Sequence, residues 1–369
     1  MNRMNSKFLL NSLLSTIMLG TITLPTMAAD SNGTDADGQF LAIKKPKSGL
    51  TGGVQENITP TSVVRENVNE FSQSLKIPII KWSQHDSQAP QAVLVALHGS
   101  TLHSGVFEEF SRQMVGRGYM VVAPDMRGFG RWRTDSKNFE NGAKIEFYKD
   151  RADLVNLLQM LRNQYPKTPL YCIGESLGGN LSLWVASVHP DLVDGIILSS
   201  PCIKRHWCIN RTLAVDFFKA ARFPHREVPT APYAKRYLSE SKEVTAAYLA
   251  DPGIRKAMTA YESFQSFHVN RSCLLYAENV PQDMPILVIE GTNDRMYVSK
   301  AVGPLMKRVP SSDETVHYLK NRGHIHLETP HIKEDVVETV DDWLRTHIQT
   351  ESARKRSTPA SISANPEQL

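Results

Sequence analysis

One serine in this chain has neighbours that suit it to chemistry. The stretch CIGESLGGN places Ser176 between Gly174 and Gly178. The apolar run PLYCI before it predicts a buried strand, and LGGNLSLWVASV after it predicts a helix. Gly-x-Ser-x-Gly alone arises by chance in about one chain in ten of this length. Between a strand and a helix, however, such a turn projects the serine hydroxyl as a nucleophile.

A neutral serine needs a base, and the base needs a group that orients it. Asp294 follows the buried-strand pattern PILVIEG, and His324 follows the next pattern, TVHYLK. Taken singly, Asp294 is equally well explained as a turn residue and His324 as a surface histidine. The order serine, acid, histidine on successive strand ends predicts a catalytic triad of Ser176, Asp294 and His324.

His326 follows the same predicted strand and is the alternative base. Gly323 lets the loop turn sharply and direct His324 across the strand ends, whereas His326 leads into the next helical region. The sequence therefore predicts His324 as the base. The two histidines could also ligate a metal if both lay on one face of the strand, but no nearby carboxylate or cysteine completes such a site. Neither a metal nor a cofactor is predicted.

Acyl transfer also needs donors directed at the developing oxyanion. The backbone N–H of Leu177, directly after the nucleophile, is predicted to be one donor. The loop after the apolar run QAVLVAL places Ser100 to supply the other. His98 at the same strand end is predicted to form structural hydrogen bonds and not to act as a second base.

Strands and helices alternate through most of the chain, which predicts the α/β class with a mostly parallel sheet flanked by helices. The helical stretch 145–164, for example, carries apolar residues three and four positions apart. LKIPIIKW is predicted to be an edge strand because it contains Pro78. The other predicted strands are QAVLVALHG, YMVVAPD, PLYCIG, GIILSS, PILVIEG and TVHYLK.

The alternation stops within 201–283, where the sequence is helical, rich in aromatics and without a strong strand pattern. This segment is predicted to be a helical cap over Ser176, in which Phe217 and Phe218 contact the substrate's acyl chain. Its apolar residues also suit a small core of the segment's own. The predicted parts of the chain are a signal peptide (1–28), a linker or flexible arm (29–70), the first part of the core (71–200), the cap (201–283), the second part of the core (284–349) and a flexible tail (350–369).

The N-terminus has the pattern of a secretory signal, in which Arg3 and Lys7 precede an apolar stretch that ends in small residues. Its polar residues and Pro25 disfavour an uncleaved membrane anchor. We therefore predict export to the periplasm or the medium, with cleavage after Ala28. Loss of Arg3 and Lys7 lowers the net charge from +4 to +2, which is too close to neutral to indicate a nucleic-acid partner.

The four cysteines contain no Cys-x-x-Cys pair, which disfavours a zinc ribbon. Cys172 lies in a buried-strand pattern and is predicted to be a core thiol. In an exported chain, Cys202, Cys208 and Cys273 could supply at most one disulfide.

Five motifs together resemble a known family. HGSTLHSGVF (98–107), PDMRGFGRW (124–132), GESLGG, GTNDRM and GHIHLETP resemble the corresponding stretches of monoacylglycerol lipases and related lysophospholipases, also grouped with serine aminopeptidase-like hydrolases. The resemblance runs from about residue 75 to 348. It implies an α/β-hydrolase fold, a cap over the site and hydrolysis of carboxylic esters without a cofactor. Two residues depart from the family pattern. Thr101 stands where the family commonly has Gly, and Trp132 stands where it usually has Ser.

These observations predict an exported serine hydrolase acting on a small-molecule or lipid ester, in transient contact with a membrane surface when the ester is a lipid. An aminopeptidase or amidase on the same scaffold is one alternative, with Glu243 or Glu262 holding the free amine. A non-catalytic protein that binds a ligand under the cap is the other alternative, and the complete triad argues against it.

Overall fold

The computed structural model describes residues 63–85, 89–135, 137–139, 142–207 and 225–357, with side chains as far as residue 349. The predicted signal peptide, most of the predicted linker, Cys208, Phe217 and Phe218 lie outside the described residues. No helix in the described part of the chain is long and apolar enough to cross a membrane.

Within the described residues, eight strands form one sheet in the order β1-β2-β4-β3-β5-β6-β9-β10. β1 and β2 pair antiparallel, as do β2 and β4, and every other neighbouring pair is parallel. The predicted mostly parallel sheet is therefore confirmed. The strands are β1 Val63–Glu66, β2 Ile79–Gln84, β3 Val93–Leu97, β4 Met120–Pro124, β5 Leu170–Glu175, β6 Gly195–Ser199, β9 Ile286–Gly291 and β10 Glu314–Leu319.

The antiparallel edge differs from the sequence prediction. The sheet already begins at Val63, inside the stretch predicted as a linker, and β1 forms the edge. β2 lies between β1 and β4, so the prediction of an edge strand there was wrong. Pro78 lies just before β2, so its lack of an N–H removes no hydrogen bond between β2 and its neighbours. The strand can therefore lie in the interior of the sheet.

Helices cover both faces of the sheet. One helix begins directly after Ser176, and the last helix continues to Ser357, into the predicted tail. The helices of the core are α1 Glu70–Leu75, α2 Glu108–Gly116, α3 Arg131–Thr134, α4 Phe147–Gln164, α5 Leu177–Val188, α9 Val302–Met306 and α10 Glu334–Ser357.

The core is divided between the two faces of the sheet. Along β3, Val93, Val95 and Leu97 join the cluster that contains α4 and α5, while Leu94 and Ala96 join the cluster that contains α10. Side chains of a strand alternate between faces, so two clusters are expected when helices cover both. This arrangement explains the uninterrupted apolar runs of the central strands.

The described part of the cap inserted after β6 is mainly helical. It contains α6 Ala231–Tyr233, a π-helical turn at Ala234–Leu238, α7 Lys242–Ala250 and α8 Ala260–Leu274. It also contains a two-stranded antiparallel ribbon, β7 Glu227–Pro229 and β8 Ala257–Thr259, which the sequence did not predict. A third apolar cluster joins cap residues such as Leu238 and Val244 to Leu102 and Ile325 of the core loops.

Candidate active site

Ser176 lies on a strained turn between β5 and α5. Its φ of 58° and ψ of −116° are unusual for a residue with a side chain, and its N–H donates to the carbonyl of Ser199 at 2.9 Å. A methyl group on Gly178 would overlap the carbonyl of Leu97, and one on Gly174 would overlap the backbone of Gly178. The two glycines are therefore required for strand and helix to meet at this turn.

Asp294 and His324 form a buried hydrogen-bonded pair. Nδ1 of His324 lies 2.6 Å from Oδ2 of Asp294. The other carboxylate oxygen of Asp294 accepts from the N–H groups of Met296 and Tyr297 at 2.6 and 3.0 Å. The ring of Tyr297 stacks on the imidazole, with ring centroids 5.4 Å apart. Both side chains are thus fixed in position and orientation.

The charges of this pair depend on each other. Burial opposes ionisation of Asp294, but the charge and hydrogen bond of His324 and the N–H donors outweigh it, and the pKa of Asp294 is lowered. Burial likewise opposes protonation of His324, but the charge and hydrogen bond of Asp294 outweigh it and raise the pKa of His324. Because Nδ1–H donates to Asp294, Nε2 of His324 is the atom free to accept a proton.

The serine hydroxyl does not hydrogen-bond to the histidine in this structure. Oγ of Ser176 lies 3.1 Å from Sγ of Cys202, and Nε2 of His324 has no hydrogen-bond partner among the described residues. Burial raises the pKa of the Cys202 thiol to about 11, so Cys202 is a neutral partner of the serine. A rotation about χ1 of Ser176 would release this contact.

His326 does not take part in the pair. Its backbone N–H donates to Glu175 at 2.8 Å, and its buried Nε2 has no partner among the described residues. Burial and the neighbouring charge of His324 lower the pKa of His326 to about 3. The structure brings together Asp294 and His324 and leaves His326 a neutral imidazole beside them.

The loop after β3 passes next to Ser176. A methyl group on Gly99 would lie 3.3 Å from Cβ of Ser176. His98 donates through Nδ1 to the carbonyl of Gly99 at 2.8 Å, and its Nε2 accepts from the N–H of Met126 at 2.9 Å. Because a trans peptide is planar, fixing that carbonyl also fixes the opposite direction of the Ser100 N–H.

Two backbone donors are available at this point. Leu177 is the first residue of α5, where an N–H has no intrahelical acceptor. Neither its N–H nor that of Ser100 donates to another described residue. The hydroxyl of Ser100 is 3.0 Å from that of Ser266 on α8. The loop and the cap are therefore in direct contact.

A second contact joins the cap to α5, the helix that begins directly after Ser176. Asn180 on α5 donates to the side chain and backbone of Asn270 on α8 at 3.1 and 3.2 Å. Its side-chain oxygen accepts from the N–H of Cys202 at 3.0 Å. The thiol beside Ser176 is thus positioned by a residue that also holds the cap.

The two departures from the family pattern have structural partners. Thr101 has a φ of 75°, a conformation that favours glycine, and its hydroxyl lies 2.8 Å from that of Tyr248 in the cap. The indole N–H of Trp132 donates to the carbonyl of Asp125 at 2.8 Å, and its ring packs under the guanidinium of Arg127. Both residues secure loops around the site.

The acids considered for amine binding are engaged elsewhere. Glu262 caps α8 through the N–H of Thr259 at 2.8 Å and pairs with Arg255 at 2.7 Å. Glu243 is exposed and accepts from the hydroxyl of Ser241 at 2.7 Å. Across the described ranges, no group of three or more His, Cys, Asp or Glu residues could hold a metal ion.

The described cysteines are free thiols. Cys172, Cys202 and Cys273 are buried and unbridged, so the structure contains no disulfide between Cys202 and Cys273. The sequence analysis missed the roles of Cys202 and of the buried glutamates Glu175 and Glu328. A signal was present for Glu175, because a charged residue ends an otherwise apolar strand directly before Ser176.

Comparison with known proteins places this site in a family. The family model described as serine aminopeptidase, S33, matches residues 88–330. The chain belongs to this family. Rat monoglyceride lipase is 26% identical over 269 residues, covering 73% of this chain and 87% of the relative. The monoacylglycerol lipase of Mycolicibacterium smegmatis is 25% identical over 264 residues, covering 70% and 90%.

Solved structures share the fold. The monoacylglycerol lipase of Paleococcus ferrophilus superposes with a TM-score of 0.59 at 21% identity, covering 73% of this chain and 99% of that one. A soluble variant of the monoglyceride lipase of Saccharomyces cerevisiae, in complex with a substrate analogue, gives 0.60 at 18% identity, covering 81% and 99%. These structures show that the chain has the α/β-hydrolase fold. The family match and the monoglyceride lipase relatives make it a hydrolase of carboxylic esters.

Proposed function

We propose that this protein hydrolyses monoacylglycerol- or lysophospholipid-like esters through an acyl-enzyme on Ser176. The observation that carries the proposal is the buried 2.6 Å hydrogen bond between Asp294 and His324. The loop that contains His324 is also joined to Glu175, the residue before Ser176, through the backbone N–H of His326. The relatives named as monoglyceride lipases support the choice of substrate class.

In this mechanism Nε2 of His324 takes the proton of Ser176 as the oxygen attacks the ester carbonyl. The N–H groups of Leu177 and Ser100 stabilise the oxyanion that forms. His324 then returns the proton to the leaving alcohol. Water, activated by the same imidazole, hydrolyses the acyl-enzyme. Asp294 keeps Nε2 directed at the serine and stabilises the imidazolium.

A cavity of about 380 Å³ beside this site suits an acyl chain. Its wall includes Leu102, two residues beyond Ser100, and Ile325, directly after His324. Apolar burial favours a hydrocarbon chain there by about 0.8 kcal/mol per methylene. Its other apolar lining residues are Val106, Leu238, Val244, Ala247, Ala250, Ile254 and Pro330.

The proposal is tested with a fluorophosphonate probe and a p-nitrophenyl ester on the purified protein. Ser176→Ala should keep the fold by circular dichroism and lose both labelling and ester hydrolysis. Ser187→Ala, a matched change farther along α5, should retain both. Labelling that persists at another serine in Ser176→Ala contradicts the assignment. An aminoacyl anilide measured in parallel separates an esterase from an aminopeptidase.

A further inference from the structure

Two buried glutamates lie outside the proposed triad. Glu175 directly precedes the nucleophile, and Glu328 follows His324 on the same loop. Their exposed fractions are 0% and 5%. Buried carboxyl groups are costly unless they are paired or hydrogen-bonded, so the contacts of each show which state the fold favours.

Glu175 is surrounded by donors. Its Oε1 accepts from the hydroxyl of Ser199 at 2.6 Å and from the N–H of His326 at 2.8 Å. Its Oε2 accepts from the N–H groups of Leu327 and Glu328 at 3.2 and 3.0 Å. Burial raises the pKa of Glu175, but these hydrogen bonds oppose that shift. Four donors and no acceptor suit an ionised carboxylate.

Glu328 has the opposite surroundings. Its Oε1 accepts a hydrogen bond from the N–H of Gly99 at 2.6 Å, and its buried Oε2 has no partner among the described residues. Burial and the negative charge of Glu175 raise the pKa of Glu328 well above its ordinary value. A single acceptor contact beside another carboxylate suits a neutral acid.

The contact with Gly99 brings Glu328 close to the reacting centre. A methyl group on Gly99 would lie 3.0 Å from Oε2 of Glu328 and 3.3 Å from Cβ of Ser176. Gly99 also carries the carbonyl that His98 holds. An ionised Glu328 would therefore set a second negative charge next to the place where the oxyanion develops.

We propose that Glu175 and Glu328 are positioning residues that hold one negative charge between them. Ionised Glu175 fastens the histidine loop to the turn of Ser176, and neutral Glu328 fastens the same loop to the Gly99–Ser100 loop. The proposal rests on the proposed function for its effect on catalysis. It goes beyond that function by assigning different charge states to the two residues.

With Glu328 neutral and Glu175 ionised, glutamine should be able to take over the role of Glu328 but not that of Glu175. A glutamine at position 328 keeps an acceptor for Gly99 and stays neutral. A glutamine at position 175 turns an NH2 group toward backbone N–H donors and loses the charge. Glu328→Gln should therefore be more active than Glu328→Ala, whereas Glu175→Gln should be no more active than Glu175→Ala.

The experiment measures kcat and KM of Glu175→Ala, Glu175→Gln, Glu328→Ala and Glu328→Gln with a p-nitrophenyl ester. Glu328→Ala should lower kcat about tenfold, the loss expected for one buried hydrogen bond, and Glu328→Gln should restore most of it. Both Glu175 variants should lose about 100-fold in kcat, as a displacement of about 1 Å produces. KM should change little in all four variants.

A pH profile tests the charge directly. Wild-type kcat should fall at alkaline pH as Glu328 ionises, and this fall should be absent in Glu328→Gln. Glu175 and Tyr248 are the titratable groups that interact with Glu328, and Glu108, Glu109 and Asp251 line the same cavity. All are retained in the variant. An unaltered alkaline fall in Glu328→Gln overturns the neutral assignment.

Unfolding in urea provides a readout that does not depend on activity. Because the pKa of Glu328 is raised in the folded state, the stability that its protonated form contributes is fully present below the ordinary carboxyl pKa, declines as pH rises above that value, and is lost once pH exceeds the raised pKa. Glu328→Gln should therefore gain stability relative to the wild type with increasing pH.

Equal losses of kcat in Glu175→Gln and Glu328→Gln overturn the proposal, whereas a wild type without esterase activity contradicts only the proposed function. If Glu175→Gln does not fold, Ser199→Ala replaces it, and an unchanged kcat there overturns the positioning role.

Discussion

His324 and Asp294 each stabilise the charged form of the other, although burial opposes both charges. His326 lies two residues away, and its Nε2 has no hydrogen-bond partner among the described residues. The charge and hydrogen bond of Asp294 thus raise the pKa of His324, whereas burial lowers the pKa of His326. That difference makes the choice of base testable.

Replacing His324 by alanine should lower kcat by about four to six orders of magnitude, because Ser176 loses its base. His326→Ala should cost far less, since its side chain makes no hydrogen bond to the pair. The measurement is kcat of both purified variants, with circular dichroism to confirm folding. Activity in His324→Ala comparable to that of the wild type would move the base elsewhere and remove the proposed triad.

Sequence reasoning reached the residues at strand ends and missed those whose partners are distant. Ser176, Asp294 and His324 each follow an apolar run, and a parallel sheet brings such ends to one edge. The contact of Glu175 with Glu328 spans 153 residues and depends on how two loops fold back. No local pattern could reveal that contact.

At the scale of elements, the strands that were not predicted from the sequence are those with few buried residues. β1 has the sequence VVRE and none of its residues is fully buried, so it shows no apolar run. β7 and β8 have three residues each and pair only with one another. The central strands were predicted because they are buried on both faces, which leaves an unbroken apolar signal.

α7 should determine the preferred length of the acyl chain. Ala247 lines the cavity, whereas Ala246 on the same helix is exposed. Ala247→Leu should narrow the cavity and lower kcat/KM for long esters relative to short ones, by about fourfold for each methylene excluded. The measurement is a series of p-nitrophenyl esters of increasing chain length.

Ala246→Leu is the matched control, because it adds the same volume on the exposed side of α7. Its chain-length profile should equal that of the wild type. A profile that is also unchanged in Ala247→Leu would show that the acyl chain does not enter this cavity.

At the scale of the whole molecule, we propose that the protein is exported and begins near Ala29 in its mature form. The basis is the N-terminal pattern of two basic residues, an apolar stretch and small residues before position 29. N-terminal sequencing and intact mass of protein from the natural host would measure this. Protein recovered from the cytosol with Met1 intact would contradict it.

The backbone at Ser176 also limits the stability of the whole molecule. Backbone in the conformation of Ser176 costs about 1–3 kcal/mol. This is a sizeable part of the free energy of unfolding of a domain, which is about 5–15 kcal/mol. A glycine there would relax the turn and remove the hydroxyl. With Ser176 as the proposed nucleophile, selection for activity and selection for stability therefore oppose each other at this one position, because the strained turn that presents the hydroxyl lowers the stability that the core provides.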